Sequence, residues 1–181
     1  MLERVILAGS GGQGVMLLGK LLAMAGMNSG LEVTYLPCYG TEVRGGTANC
    51  NVIISSEEIY SPVVEEADSL IIMNQPSFDR FKPLLHSGGV LFANSSLIDD
   101  SSPPPAGKFF SIPATDMAQE IGSRVVANIV MLGAYNELKP FLSKDEIVKA
   151  LTEALGEKKV SLLDINKEAL ERGRKFAHAH S

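Results

Sequence analysis

The sequence contains no tryptophan, two cysteines and three histidines, and its basic residues form no run along the chain. Cys38 and Cys50 are too few to hold an iron–sulfur cluster with four thiolate ligands, and they stand too far apart for a C-x-x-C site. We therefore expect two inert thiols in a reducing cytoplasm. A net charge of −5 and an isoelectric point near 5.2 argue against a nucleic-acid partner.

Other features that define common protein classes are also missing. No apolar stretch is long and uncharged enough to span a membrane, and an apolar strand follows Met1 too closely for a signal peptide. The sequence has no nucleophile elbow and no Gly-Asp-Gly element, the Mg²⁺–diphosphate signature of thiamine enzymes. His86, His178 and His180 are predicted to be solvated, the last two in a frayed tail. We expect no catalytic residue and no metal ligand on this chain.

The clearest motif that is present lies near the start of the chain. The apolar run Val5 to Ala8 predicts a buried strand, and an apolar helical pattern begins at Val15. A strand, a glycine turn and a helix together form an anion-binding arrangement, because the backbone N–H groups and the helix dipole favour negative charge. The predicted ligand-binding loop consists of Gly9, Ser10, Gly11, Gly12, Gln13 and Gly14.

This loop also matches two nucleotide motifs, each in part. Gly9, Gly11 and Gly14 satisfy G-x-G-x-x-G, but the second strand ends in Leu36-Pro37-Cys38 without the acid that holds a dinucleotide ribose. A P-loop reading from Gly14 fails at Leu21, where a Ser or Thr would bind Mg²⁺. A stand-alone nucleotide-binding protein remains an alternative.

Periodicity predicts an α/β fold, a single three-layer α/β/α domain over residues 1–181 with a mixed central sheet. The first strand is followed by strands predicted at 31–36, 47–55, 69–73, 90–93 and 109–112, with a turn at Gly88-Gly89 before the strand at 90–93. The sheet is expected to be mixed because the strands at 31–36 and 47–55 can pair across the loop between them as a hairpin. Helices are predicted at 15–29, 77–85, 114–121, 124–138 and 164–177, with one more between a Ser143–Glu146 capping box and Gly156. Helices 15–29 and 124–138 are apolar almost all round, so we expect a neighbouring helix, a partner subunit or a second copy to cover them.

A second glycine-rich segment follows the second predicted strand. It reads Tyr39-Gly40-Thr41-Glu42-Val43-Arg44-Gly45-Gly46. Three glycines are an entropic cost that a simple connection does not require, so they indicate a defined backbone path or close approach by another molecule. If the first two strands are parallel, both glycine segments open at the same edge of the sheet. We expect Tyr39, Gly40, Glu42, Arg44, Gly45 and Gly46 to serve an inter-subunit face near the active site.

Together, the segments Gly9 to Gly14 and Tyr39 to Gly46 resemble the gamma subunit of 2-oxoacid:ferredoxin oxidoreductases. The resemblance covers almost the whole chain. It includes Asn74-Gln75-Pro76, Asn128 with Gly133-Ala134, and Asn166, Ala169 and Gly173. The length is similar to that of a free-standing gamma subunit without a fused ferredoxin domain.

The resemblance implies one part of a cytoplasmic enzyme that oxidatively decarboxylates a 2-oxoacid with coenzyme A and reduces ferredoxin. Thiamine diphosphate, Mg²⁺ and iron–sulfur clusters are then expected on partner alpha, beta and small ferredoxin-like subunits. The gamma chain would complete the assembly, and its glycine turn would take an anionic group such as part of coenzyme A. We favour 2-oxoglutarate as the substrate, with pyruvate, branched-chain and indolepyruvate enzymes as alternatives.

Overall fold

The computed structural model describes residues 1–38, 48–99, 101, 106–156 and 160–180. The strands are β1 (Leu2–Gly9), β2 (Glu32–Cys38), β3 (Ala48–Ser55), β4 (Ala67–Ile72), β5 (Leu85–Asn94) and β6 (Lys108–Ile112). The helices are α1 (Val15–Asn28), α2 (Gln75–Phe81), α3 (Ala114–Glu120), α4 (Ala127–Leu138), α5 (Lys144–Leu155) and α6 (Val160–His180). Short 3₁₀ turns at Lys82–Leu84 and Arg124–Val126 follow α2 and precede α4.

The six strands form one mixed sheet in the order β2-β3-β1-β4-β5-β6. β1, β4, β5 and β6 are parallel, and β3 is antiparallel to both of its neighbours, β1 and β2. The predicted mixed sheet and the β2–β3 hairpin are therefore confirmed. Because β1 and β2 both run against β3, they share a direction, and their carboxyl ends lie at one edge. The register places Gly9 opposite Ala48, and Cys38 opposite Asn49.

The two faces of the sheet are covered unequally. Val5 and Leu7 on one face of β1 join the core formed with α1, α3, α4, α5 and α6. Ile6 and Ala8 face the other way, toward a smaller core that includes Phe78 of α2. The three-layer architecture is thus present, with one thick helical layer and one layer built from α2 and irregular chain.

The all-round apolar character of α4 is explained by α6. Every residue from Ala127 to Asn136 is buried, because α4 lies between the sheet and α6. The two helices approach each other at two glycines, where an added Cβ at Gly133 or Gly173 would overlap backbone atoms of the other helix. A helix of the same chain, and not a second copy, therefore covers this surface.

The start of β5 differs from the sequence prediction. The pattern predicts a turn at Gly88-Gly89 before a strand at 90–93, but both glycines lie inside β5. The pairing of β5 with β4 is irregular there, and an added Cβ at Gly89 would press against the Asp68 carbonyl oxygen. Glycine in this strand permits a close backbone approach, which a sequence pattern cannot distinguish from a turn.

The helix predicted at 77–85 begins and ends earlier than expected. The Asn74 side chain accepts a hydrogen bond from the Ser77 N–H and caps α2, which begins at Gln75. A 3₁₀ turn containing Pro83 then replaces the last α-helical turn, and Leu85 already belongs to β5.

The last helix is longer than predicted, and its end is not frayed. α6 continues through His178, whose Nδ1 lies 3.2 Å from Glu137 Oε1, to His180, whose ring stacks on Phe176. The predicted capping box of α5 is confirmed, with Ser143 and Glu146 bonded reciprocally and Gly156 as the C-cap. In the described ranges, no helix has both the length and the apolar character needed to cross a membrane.

Candidate functional site

The candidate site lies between two neighbouring strands whose following helices pack on opposite faces of the sheet. β1 and β4 are adjacent and parallel, yet α1 leaves β1 toward the thick helical layer while α2 leaves β4 toward the opposite face. In open α/β sheets, ligands bind outside the carboxyl ends of strands at such a switch point. The predicted loop from Gly9 to Gly14 forms one wall of this crevice.

The backbone of the loop explains two of its glycines. Gly12 and Gly14 have φ angles of 87° and 72°, which favour glycine. Gly14 is the N-cap residue of α1, and among the described residues no side chain caps the first turn of that helix. Its N–H groups and the positive end of the helix dipole thus remain available at this edge.

Close packing explains the glycine at position 9 but not the one at position 11. An added Cβ at Gly9 would lie within 3 Å of Gln13, Met73 and Val15 atoms, whereas one at Gly11 would meet no atom of the described residues within 4 Å. Gly11 and Gly12 are both exposed. The tip of the loop is therefore open to another molecule, while its base is closely packed.

Gln13 holds the loop against the neighbouring strand. Its Oε1 accepts a hydrogen bond from the Ser10 N–H at 2.7 Å, and its Nε2 donates to the Met73 carbonyl oxygen at 3.1 Å. Both ends of this amide are therefore engaged within the chain. Gln13, predicted as part of a ligand-binding loop, acts here as a brace across the crevice between β1 and β4.

Asn128 braces the loop from the other side. This buried residue of α4 donates from Nδ2 to the Gly14 carbonyl oxygen at 3.1 Å. A similar amide contact orders the next strand end, where Asn94 Nδ2 donates to Thr115 Oγ1 at 2.9 Å. Hydrogen bonds from side-chain amides thus fix the chain around the crevice at this edge of the sheet.

A cleft of about 230 Å³ opens beside the loop. Its lining residues are Gly12, Gln13, Met73, Leu97, Thr115, Arg124, Val125 and Ala127. Arg124 is the cation of this set. Its guanidinium is exposed and donates from Nε to Gln119 Oε1 at 3.0 Å, which leaves further N–H groups for an anion.

Sequence reasoning missed the contribution of the 3₁₀ turn before α4. Val125 is 78 % exposed and Leu97 is 47 % exposed, so two large apolar side chains border the cleft next to Arg124. One signal was visible in the sequence. A cation in the first turn of an apolar helix opposes the helix dipole and does not stabilise the helix, so its presence indicates another role.

The second predicted segment lies outside the described residues. Tyr39, Gly40, Glu42, Arg44, Gly45 and Gly46 all belong to it. The residues that flank it are described: Cys38 ends β2 and Ala48 begins β3, at the same edge of the sheet as Gly9. β1 and β2 therefore run in the same direction, which is the condition for the two glycine segments to open at one edge.

The cysteines cannot act together as ligands of one metal. Cys50 packs beneath α1 with Sγ 3.7 Å from the Val15 carbonyl oxygen, and burial raises the pKa of its thiol to about 12. Cys38 pairs with Asn49 and so points to the opposite face of the sheet. Among the described residues, no three His, Cys, Asp or Glu side chains come together as a metal site.

The sheet order differs from that of a dinucleotide-binding domain. Those folds place the acid for the ribose on a parallel strand next to β1. Here the antiparallel β3 occupies that place, and β2 ends in Leu36-Pro37-Cys38. The crevice is thus suited to an anionic group, but the described residues supply no ribose-binding acid at the end of β2.

Residues 4–176 match the family model described as pyruvate ferredoxin/flavodoxin oxidoreductase. The chain is 36% identical over 174 residues to ketoisovalerate oxidoreductase subunit VorA of Methanothermobacter thermautotrophicus, covering 96% of this chain and 36% of VorA. It is 35% identical over 172 residues to 2-oxoglutarate synthase subunit KorC of Methanocaldococcus jannaschii, covering 92% of each. Indolepyruvate oxidoreductase subunit IorB of Thermococcus kodakarensis is 26% identical, with 96% and 95% covered. The chain thus spans about a third of the length of VorA.

Two solved structures are similar over nearly the whole chain. One is the gamma subunit of a keto/oxoacid ferredoxin oxidoreductase from Geobacter sulfurreducens, with a TM-score of 0.84, 30% identity, and 98% of this chain and 99% of that chain covered. The other is 2-oxoglutarate:ferredoxin oxidoreductase from Magnetococcus marinus, with 2-oxoglutarate, coenzyme A and succinyl-CoA bound. Its TM-score is 0.88 at 28% identity, with 98% of this chain and 31% of that chain covered.

Proposed function

The chain belongs to the pyruvate ferredoxin/flavodoxin oxidoreductase family, and we propose that it serves as the gamma subunit of a multisubunit 2-oxoacid:ferredoxin oxidoreductase. The single observation that carries this proposal is the similarity along the full length of a separate gamma subunit. The complete enzyme oxidatively decarboxylates a 2-oxoacid with coenzyme A, which yields an acyl-CoA and reduced ferredoxin.

In this proposal the redox and decarboxylation chemistry resides on partner alpha, beta and small ferredoxin-like subunits. Thiamine diphosphate, Mg²⁺ and iron–sulfur clusters are held there and supply the chemistry. The opposite orientation of Cys38 and Cys50 supports this division, because the pair cannot ligate one cluster. We also propose a cytoplasmic location, which the two free cysteines support because thiols are kept reduced there.

This chain contributes an anion-binding corner to the complex. Gly12 at the open tip of the loop and Arg124 line one cleft, and the first turn of α1 begins three residues after Gly12. Arginine and a helix N-terminus both favour phosphate groups. A cleft of about 230 Å³ is smaller than the ~300–1,000 Å³ of a typical ligand pocket. It therefore suits one phosphate-bearing end of coenzyme A, while a partner subunit holds the remainder.

The segment that contains Glu42 and Arg44 is assigned to the inter-subunit face near the active site. Its flanking residues, Cys38 and Ala48, lie at the same edge as the anion-binding loop. An arginine fork can bind a carboxylate, a phosphate or carbonyl oxygens of a neighbouring subunit, and Glu42 can orient it or meet a partner cation. The segment thus contributes to assembly and to the approach to the active site.

Among substrates, 2-oxoglutarate is favoured. The similarity to KorC extends over 92% of both chains, whereas the similarity to VorA is confined to about a third of VorA. A branched-chain 2-oxoacid is the alternative supported by VorA, to which the identity is 36% against 35% for KorC, and indolepyruvate has the weaker support of IorB. Initial rates of the reconstituted complex with 2-oxoglutarate, 3-methyl-2-oxobutanoate, pyruvate and indolepyruvate decide between them.

The anion-binding corner is tested with Arg124→Ala in the reconstituted complex. The KM for coenzyme A is expected to rise about tenfold or more, because a charged hydrogen bond is lost, while the KM for the 2-oxoacid stays unchanged. Arg172→Ala is the matched control, since Arg172 forms exposed ion pairs with Glu120 and Glu168 on the helical layer. An unchanged KM for coenzyme A in Arg124→Ala would refute this site.

The same assay tests the undescribed segment with Arg44→Ala. The melting temperature of the isolated chain should stay nearly unchanged, while assembly or turnover falls about tenfold because a desolvated charged contact is lost. If the melting temperature of the isolated variant falls sharply while the complexes that form turn over normally, the segment serves only the stability of this chain.

A further inference from the structure

A second surface of interest lies at the opposite edge of the sheet, on the face away from the thick helical layer. There the irregular chain between β3 and β4 borders a groove of about 370 Å³. Tyr60 is 89 % exposed, Val63 is 56 % exposed and Leu2 is 55 % exposed, and all three line this groove. Large apolar side chains grouped in this way mark interaction sites more often than isolated ones do.

The groove has a defined shape because its walls are anchored to the core. Val64 is buried and Ile59 packs against the smaller core, so the chain on both sides of Tyr60 is held to the sheet. Arg4 and Asp68 tie the floor to β4 through two side-chain hydrogen bonds of 2.8 and 3.0 Å. The exposure of Tyr60 and Val63 is thus a property of a packed surface.

The rim of the groove is acidic. Glu57 and Glu58 line it directly, and Glu65 and Glu66 line an adjoining groove that shares Arg4 and Val63. All four glutamates are exposed. In the part of the chain that the structure describes, none of the ion pairs includes Glu57, Glu58 or Glu65. Arg4, the basic residue of both linings, is already engaged by Asp68.

We propose that this acidic, apolar groove docks a basic protein surface in which Lys or Arg residues flank a protruding apolar side chain, carried by the thiamine-diphosphate-binding subunits. The inference rests on the proposed function and adds the face and the chemistry of the contact. The apolar side chain packs against Tyr60 and Val63, and the flanking cations pair with the glutamates. Such complementarity sets the orientation of a partner and accelerates its association.

The charge of the rim disfavours the other occupants. A second copy of this chain docked through the same face would bring two sets of glutamates together, which is repulsive. Nucleic acid and anionic membrane surfaces carry the same sign of charge as the rim. A basic protein surface is the occupant that both the apolar floor and the acidic rim favour.

The test uses the charge-reversed variant Glu57→Lys/Glu58→Lys in a binding titration with the copurified cognate alpha and beta subunits. Its matched control is Glu153→Lys/Asp164→Lys, which makes the same change in net charge at exposed positions of α5 and α6. The first variant is expected to raise the Kd at least tenfold at low salt, and the control to change it less than twofold. The Kd of the unmodified chain should also rise with salt, because exposed charges are screened.

A second variant, Tyr60→Ser, keeps the charge and removes the most exposed apolar side chain of the groove, and it should weaken binding as well. Thermal melts show whether each variant is folded. Equal Kd values for the charge-reversed variant, Tyr60→Ser and the control would overturn the docking surface while the proposed function stands. Failure of the unmodified chain to bind the cognate subunits would overturn both.

Discussion

Gly14 combines a left-handed backbone with a lack of space for a side chain. Its φ is 72°, and an added Cβ would overlap the Asn128 side chain that donates to its own carbonyl oxygen. Gly11, three residues earlier, has open space and no such backbone constraint. Gly14 is thus required for the backbone conformation of the loop, whereas Gly11 leaves space for another molecule to approach it.

Gly14→Ala is expected to lower the free energy of unfolding by about 2 kcal/mol or more, because the alanine is strained at this φ and must displace Asn128. Gly11→Ala should change it by less than about 1 kcal/mol, since nothing obstructs the new methyl group. Urea unfolding of both variants measures the difference. Equal losses in the two variants would show that the loop does not have the described backbone.

The two cysteines are expected to differ in reactivity. Cys50 is fully buried, and its thiol keeps its proton because burial raises its pKa to about 12, whereas Cys38 is partly exposed. A thiol reagent at pH 8 should modify one cysteine per native chain and both after unfolding. Cys38→Ser should abolish the native reaction. Modification of Cys50 in the native chain would contradict its placement beneath α1.

At the scale of elements, the contact between α4 and α6 depends on two glycines. An added Cβ at Gly133 would overlap the Leu170 carbonyl oxygen, and one at Gly173 would overlap that of Val130. Helical backbone cannot move aside as a flexible side chain does. The close approach of the two helices is thus determined at these positions, and it buries the outer surface of α4.

Gly173→Ala should destabilise the chain by about 3 kcal/mol or more, although alanine is favoured over glycine by about 1 kcal/mol in an isolated helix. Gly26→Ala in α1 is the matched comparison, because its methyl group would meet the Val33 and Ile54 side chains, which can adjust. Its loss should be smaller. Thermal unfolding measures both, and a stabilised Gly173→Ala would contradict the helix contact.

Sequence periodicity predicted elements whose signal is local, and it failed where the deciding contact is distant. The capping box of α5 and the strand predicted at 47–55 have local signals, and both are present. The glycines of β5 resembled a turn because the irregular pairing with β4 that requires them is invisible in sequence. The glycine loop of the candidate site was predictable, but Arg124 and Val125 join it only through the packing of α4.

At the scale of the whole molecule, the two edges of one sheet carry different chemistry. The carboxyl edge combines a helix N-terminus with Arg124, and the opposite edge combines apolar side chains with exposed glutamates. A chain with the proposed anion-binding cleft and the proposed docking groove is suited to work as part of a larger assembly. On its own it is expected to turn over no 2-oxoacid and to bind no NAD(H), NADP(H) or flavin.

The most direct measurement is 2-oxoacid-dependent and coenzyme A-dependent ferredoxin reduction by the cognate alpha and beta subunits, recorded anaerobically with increasing amounts of this chain. We predict little activity without the chain and a saturable increase as it is added, with 2-oxoglutarate as the best substrate. Heat-denatured chain serves as the control and should give no increase. Full activity of the alpha and beta subunits alone, or no response to the folded chain, would contradict its role as the gamma subunit.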